Sequence, residues 1–159
     1  PLSSSSITKG IVYTHRSFLH QSRLPFTPAQ VFAFHERDDI FQLLLPPWQK
    51  VRVISRTGGL LVGARVEFRL LFGPFYKTWV AVHTEYEHNK LFTDVQEKGP
   101  FAYWRHRHHF IPDGNGCILR DEVEYSLPLG LTPLLGWLVD KDLRRMFEYR
   151  HQVTAREVK

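Results

Sequence analysis

Residues 102–127 read AYWRHRHHFIPDGNGCILRDEVEYSL. Two stretches that alternate aromatic or apolar with polar side chains flank Asp113-Gly114-Asn115-Gly116, residue types that suit the left-handed backbone of a hairpin turn. Setting Pro112 opposite Cys117 places Arg107 opposite Glu122 and Arg105 opposite Glu124, two opposite-charge pairs on one face. The other face then carries Phe110 with Leu119, His108 with Asp121, His106 with Val123 and Trp104 with Tyr125. A slip of one residue would turn one strand over and lose that agreement. Residue type alone thus predicts an antiparallel hairpin with a charged face and a face of aromatics, histidines and an aspartate.

The same alternation extends upstream. Turn signals at Gly58-Gly59, Gly73-Pro74, His88-Asn89 and Gly99-Pro100 divide the middle of the chain into strands near 51–56, 64–71, 78–87 and 91–98, followed by 102–111 and 117–127. An earlier strand is expected over 11–24, stopped by Pro25. Thr27 and Pro28 start a helix that carries Val31, Phe32 and Phe34, and a second short helix over 39–45 ends before Pro46 and Pro47. Thr132 and Pro133 repeat that start, and a long helix follows to about residue 156. Its apolar stripe is read as Leu135, Leu138, Val139, Met146, Tyr149 and Val153; Lys141, Arg144, Arg145 and Arg150, alternating with Asp140, Asp142 and Glu148, are read as a solvated face. The predicted class is α+β: seven antiparallel strands, two short helices after strand one and a long C-terminal helix. One helix covers one sheet face only, so the sheet must curl around it, and a curled sheet closed by one helix tends to leave a cavity.

A chain of 159 residues fits one domain, expected over 11–159, with 1–10 as a flexible Ser-rich tail. The formal charge of +5 permits anionic partners without demanding them, while 43% hydrophobic and 14% aromatic residues exclude a disordered basic segment. The single Cys117 excludes an intramolecular disulfide and a Cys-based zinc cluster. No signal peptide is visible and no run reaches the roughly 18 apolar residues of a membrane span. The richest, 127–139, is broken by Pro128, Gly130, Pro133 and Gly136, so a soluble, cytoplasmic protein is expected.

Pairing Tyr86 with Leu91 sets His83 opposite Asp94, Ala81 opposite Gln96 and Glu85 opposite Phe92; the next turn brings Asp94 beside His106 and Gln96 beside Trp104. In that register His83, Asp94, His106, His108 and Asp121 share the concave face, ringed by Trp79, Trp104, Phe110 and Tyr125, with Met146 and Tyr149 facing them from the helix. Val80, Val82 and Tyr86 form an equally apolar alternative face for the strand at 78–87. Buried polar groups cost free energy unless paired, so histidines and aspartates turned inward point to a pocket with a polar end. The expected function is binding of a hydrophobic or aromatic small molecule. The alternative is acid/base catalysis, with His106, His108 and Asp121 as candidates. Metal ligation has weaker candidates in His83, His106 and His108, and no cofactor is expected. Arg105 and Arg107 are matched by Glu122 and Glu124, which argues against nucleic acid as a partner. Transient membrane contact through residues 129–138 is the other partner the sequence admits.

The chain also resembles the START-like helix-grip superfamily, SRPBCC, and within it the cyclase/dehydrase-like bacterial ligand-binding branch. The resemblance rests on Phe26-Thr27-Pro28-Ala29-Gln30-Val31-Phe32-Ala33-Phe34-His35, on Leu45-Pro46-Pro47-Trp48, on the run from Val95 through Gly99-Pro100-Phe101 to Trp104-Arg105-His106-Arg107-His108, and on Asp121-Glu122-Val123-Glu124-Tyr125. It implies a sheet gripping the terminal helix around lipid-, polyketide- or isoprenoid-like molecules, with cyclase or dehydratase chemistry in some members. Relatives of this type occur alone and beside sugar-nucleotide-epimerase-like proteins.

Overall fold

The computed structural model describes residues 5–8 and 11–159. Strands β1 (Ser5–Thr8) and β2 (Ile11–Thr14) pair with each other as a separate two-stranded sheet. The strand expected over 11–24 is therefore divided, and part of the expected tail lies outside the described residues. The main sheet comprises β3 (Arg16–Leu24), β4 (Val51–Thr57), β5 (Arg65–Phe72), β6 (Phe75–Glu87), β7 (Leu91–Lys98), β8 (Tyr103–Asp113) and β9 (Gly116–Ser126). Its seven strands are antiparallel in the order β3-β9-β8-β7-β6-β5-β4. Five successive hairpins build it from β4 to β9, and β3 joins beside β9. Helices α1 (Pro28–His35) and α2 (Ile40–Leu44) fill the connection from one edge to the other, and α3 (Thr132–Glu157) completes the predicted α+β fold.

Local chemistry sets the helix starts. Thr27 accepts from the Gln30 amide while the Gln30 side chain accepts from the Thr27 amide, a reciprocal cap that satisfies two otherwise free donors. The β8–β9 register is the one predicted, from Pro112 opposite Cys117 to Trp104 opposite Tyr125. The β6–β7 register agrees at Ala81/Gln96 and His83/Asp94, and Asp94 lies opposite His106. It departs at Glu85, which faces Thr93 rather than Phe92, because the pairing shifts between His83 and Glu85. A bulge inserts an extra residue on one strand, so one register cannot serve both sides of it: those pairs beyond the bulge are as predicted, while at the turn Tyr86 faces Phe92 and Glu87 faces Leu91. Arg105 and Arg107 do stand opposite Glu124 and Glu122, yet their closest carboxylate is Glu85, at 3.2 and 2.9 Å from two strands away.

The inward face of α3 differs from the predicted stripe. Its buried residues include Gly136, Leu143, Met146, Phe147, His151, Val153 and Thr154, whereas Leu138 is 43% exposed. Phe147 and Met146 pack with Phe18, Trp104, Val123 and Tyr125, so one half of the helix closes on β3, β8 and β9. Val153 joins Phe34 and Ile40 of the short helices. Ahead of this packed region, Leu129, Leu134 and Trp137 are exposed.

Near the N-terminus of α3, Tyr125 donates to the Gly136 carbonyl at 2.8 Å or to Asp140 at 2.7 Å, while Arg16 grips Asp140 at 2.7 Å. A Cβ at Gly136 would lie 2.6 Å from Cδ of Arg16, so glycine is what lets the arginine cross the helix. Asp140 is thus part of a sheet-to-helix joint and not of a solvated face. Removing a hydrogen bond to a charged group costs about 1.5–3 kcal/mol. Tyr125→Phe is expected to destabilise the fold by about that amount in urea melts, with an unchanged denaturant slope.

Candidate functional site

A cavity of about 660 Å³ lies between the sheet and α3, bounded also by α2 and the segment that follows it. Trp79, His83, Asp94, Trp104, His106, His108 and Met146, all expected at a pocket, line it. Trp79, Ala81 and His83 are wall residues of β6, and the alternative face carrying Val80, Val82 and Tyr86 is not part of the wall. Four expected residues are not among the lining groups. Phe110 is 1% exposed in a core with Leu24, Phe32 and Leu119, which closes the far end of the hairpin. Tyr125 is taken up by the Asp140 joint, Tyr149 packs edge-on against Trp48, and Asp121 lies behind the histidines.

Asp121 is the centre of the polar wall. Its Oδ1 accepts from His106 Nε2 at 2.6 Å and lies 3.2 Å from His108 Nδ1; its Oδ2 accepts from His151 Nε2 at 2.6 Å. Asp94 adds a second acceptor, 2.9 Å from His108 Nε2 and 3.6 Å from His106 Nδ1. A carboxylate only accepts, so each nitrogen bonded to one carries a proton. His108 therefore bridges two carboxylates with both ring nitrogens, the geometry of an imidazolium. His106 donates through Nε2 and keeps a lone pair on Nδ1. The two rings lie 3.6 Å apart. His83 is separate from this pair: its Nδ1 meets the Leu60 carbonyl at 3.0 Å and its ring stacks parallel to Phe92.

The protonation preferences follow from these contacts. Burial opposes ionisation of Asp121, yet hydrogen bonds from His106, His108 and His151 outweigh it and hold the carboxyl well below its usual range. Burial is also the largest influence on Asp94, and His108 with its neighbours overcomes it, to about 2. Burial pushes His106 and His83 down; on His108 it is outweighed by Asp121 and Asp94, which raise it. His35, a cavity residue whose Nδ1 meets the Val31 carbonyl at 2.8 Å, is pushed by burial down to about 4.

Asp94, His106 and His108 place ligand atoms within 4.8 Å of one another, a group of the kind that can hold a metal ion. Asp94 thus stands where the sequence suggested His83. Both histidines already have a carboxylate partner, so the arrangement is self-consistent as a hydrogen-bonded network. Sequence reasoning passed over His35 and His151 and assigned Arg150 to a solvated face, whereas Arg150 lines the cavity with its Nε buried. Arg150 and His151 follow Met146 and Phe147 at a spacing of three to four residues and so lie on the same helix face, a signal masked by their polarity.

Residues 24–148 match the family described as "Polyketide cyclase / dehydrase and lipid transport". The chain belongs to that family. No curated protein sequence matches it. Among solved structures, this family member is similar to TTHA0849 from Thermus thermophilus, with 18% identity, TM-score 0.69, and coverage of 90% of this chain and 97% of the other. It is also similar to norcoclaurine synthase from Thalictrum flavum in complex with dopamine and hydroxybenzaldehyde, at 14% identity, TM-score 0.67, and 92% and 90% coverage. A nucleoside-diphosphate sugar epimerase from Corynebacterium glutamicum matches at 26% identity and TM-score 0.66, over 87% of this chain but 28% of the epimerase. The first two likenesses carry the helix-grip fold and nothing finer.

The histidines make stability depend on pH. Unfolded, His35 binds a proton near pH 6.5; folded, it does so only near pH 4, so stability falls as pH drops through that window. That shift corresponds to about 3 kcal/mol at most. Asp94 and Asp121 contribute fully above the unfolded carboxyl range, and their contribution is lost as pH falls toward 2. His108 acts with the opposite sign: its contribution is full below 6.5 and is lost as pH rises through its raised value. Thermal melts are expected to show a first loss of stability as pH falls below 6.5, to which His106 and His83 add with the same sign, and His35→Phe should reduce that loss while leaving the steeper loss below pH 4.

Proposed function

We propose that the cavity binds a hydrophobic or aromatic small molecule, held between the sheet and α3. The observation that carries this reading is the pairing of volume and lining. About 660 Å³ is within the usual range for small-molecule sites, and the walls are largely apolar with their polar groups gathered around Asp94, His106 and His108. Rings such as Phe68, Trp79, Phe101 and Trp104 supply flat apolar area, and Trp79 stands edge-on to Trp104 at 5.2 Å. The family's description includes lipid transport, and the norcoclaurine synthase complex holds two aromatic molecules in the same fold.

Ala81 is the smallest side chain on the β6 wall, 8% exposed between Trp79 and His83. Ala81→Phe would add a ring to the wall. Titration with 1-anilinonaphthalene-8-sulfonate, followed by probe fluorescence, should give saturable binding to the wild type. The substitution should weaken it at least tenfold with a melting temperature within a few degrees. Equal binding by both would place the probe elsewhere. Mass spectrometry of gently purified protein is expected to reveal a co-purifying apolar compound.

A second reading is supported by His106 Nδ1, which makes no hydrogen bond and lies 3.6 Å from Asp94, beside an imidazolium-like His108. A neutral imidazole and a charged one at 3.6 Å form a base and an acid facing one cavity. If the site is catalytic in this way, His106→Gln should abolish conversion of a co-purified compound, read by chromatography and mass spectrometry, and leave its affinity within a few-fold. Unchanged turnover would remove His106 from the chemistry.

A further inference from the structure

The cavity wall contains an arginine with no acceptor. Arg150 lies on α3 one turn beyond Met146, and its Nε is fully buried without a hydrogen-bond partner. Among the described residues its guanidinium makes no hydrogen bond and no ion pair; its contact is the Phe147 ring, 5.7 Å away. Arg69 Nε is likewise buried without a partner, but Arg69 is not a residue of the cavity wall. Arg16, Arg105 and Arg107 each hold a carboxylate, and Arg56, the other arginine of the wall, donates to the Arg37 and Asp38 carbonyls. The nearby acids are already engaged, Asp121 by three histidines and Asp94 by His108, and they act on Arg150 only through space. A buried Nε–H with no acceptor carries a cost that an anion in the cavity would remove.

Position narrows the kind of anion. Phe147 lies 5.1 Å from the His106 ring as well as against Arg150, so the arginine is on the polar side of the cavity, next to the cluster. The planar fork of a guanidinium fits a carboxylate with two parallel hydrogen bonds. Two aspartates nearby penalise a dianion such as a phosphate monoester more than a monoanion. We propose that Arg150 receives the carboxylate of a hydrophobic or aromatic acid whose apolar body lies against the tryptophan and phenylalanine walls. The assignment rests on the cavity being a ligand site and adds to it the headgroup.

The test compares acids with neutral alcohols of the same skeleton: 1-pyrenebutyrate against 1-pyrenebutanol, and dodecanoate against dodecanol, each titrated into the full chain by calorimetry. The wild type should prefer the acid of at least one pair by about tenfold or more, the scale of a charge-assisted hydrogen bond. Arg150→Gln should erase that preference by weakening the acid alone. Arg150→Lys should retain part of it, since the charge remains but the fork is lost. Equal binding of acid and alcohol by the wild type overturns the headgroup assignment and leaves the cavity reading intact, as does an Arg150→Gln protein that loses both equally. If neither pair binds at all, the cavity reading fails and the assignment falls with it. The wild-type comparison stands even if a variant does not fold.

Discussion

One buried carboxylate ties the sheet to the helix. Asp121 on β9 receives His106 and His108 from β8 and His151 from α3, and the other nitrogen of His151 meets Ser22 of β3 at 2.8 Å. A lone ionised carboxylate is expensive to bury, and three imidazole donors repay that cost only while strands and helix hold their mutual positions. The contact is therefore specific in a way apolar packing is not. Sliding α3 by one residue along the sheet would leave Phe147 roughly packed but would take His151 away from Asp121. The second joint, Arg16 and Tyr125 on Asp140, repeats the logic near the start of the helix. Two polar clamps about three helical turns apart fix the axis between them.

That axis decides where space remains. Against β3, β8 and β9, α3 presents Leu143 and Phe147 to Phe18, Val123 and Tyr125, and the layers interdigitate. Toward the other edge of the sheet the wall includes Val66 and Phe68 of β5 and Trp79 and Ala81 of β6, and the volume between sheet and helix stays open. Small residues here act as much as large ones do. The wall gains its flat aromatic surfaces from Phe68 and Trp79 stacked at 5.6 Å, and its depth from Ala81.

Much of this is legible in residue order. The hairpin of β8 and β9 declares its register through charge pairs and a turn of unmistakable type, and Thr27-Pro28 starts its helix with the expected cap; α3 starts at Thr132, whose hydroxyl accepts from the Leu127 amide instead of capping the helix. Trp104, His106 and His108 follow from that register to the cavity wall. The departures share a cause: periodicity reports the average environment of a face, and individual polar residues can break it. Arginine usually faces solvent, so composition sends Arg150 outward, although its spacing from Met146 puts it inside. Glu85 is displaced by a bulge, which leaves no compositional mark. Asp121 is on the expected face but not on the lining, since a sequence does not distinguish a group at a surface from the one supporting it.

The positions of Arg150 and His151 show how structure and function share one element. These residues are adjacent on α3, and the helical rotation of about 100° between them separates their roles. His151 is turned to Asp121 and the sheet, where its loss would loosen the helix. Arg150 belongs to the cavity wall, where no protein group satisfies it. The first clamp holds the second residue in place: because His151 cannot leave Asp121 without breaking a buried network, Arg150 cannot swing toward solvent by rotating the helix. Its remaining freedom lies in its own side chain, whose Nε is buried and whose guanidinium carbon lies 5.7 Å from the Phe147 ring. A cation preorganised in this way gives up little entropy on meeting an anion, which is the condition under which a single buried arginine can discriminate between an acid and its neutral counterpart.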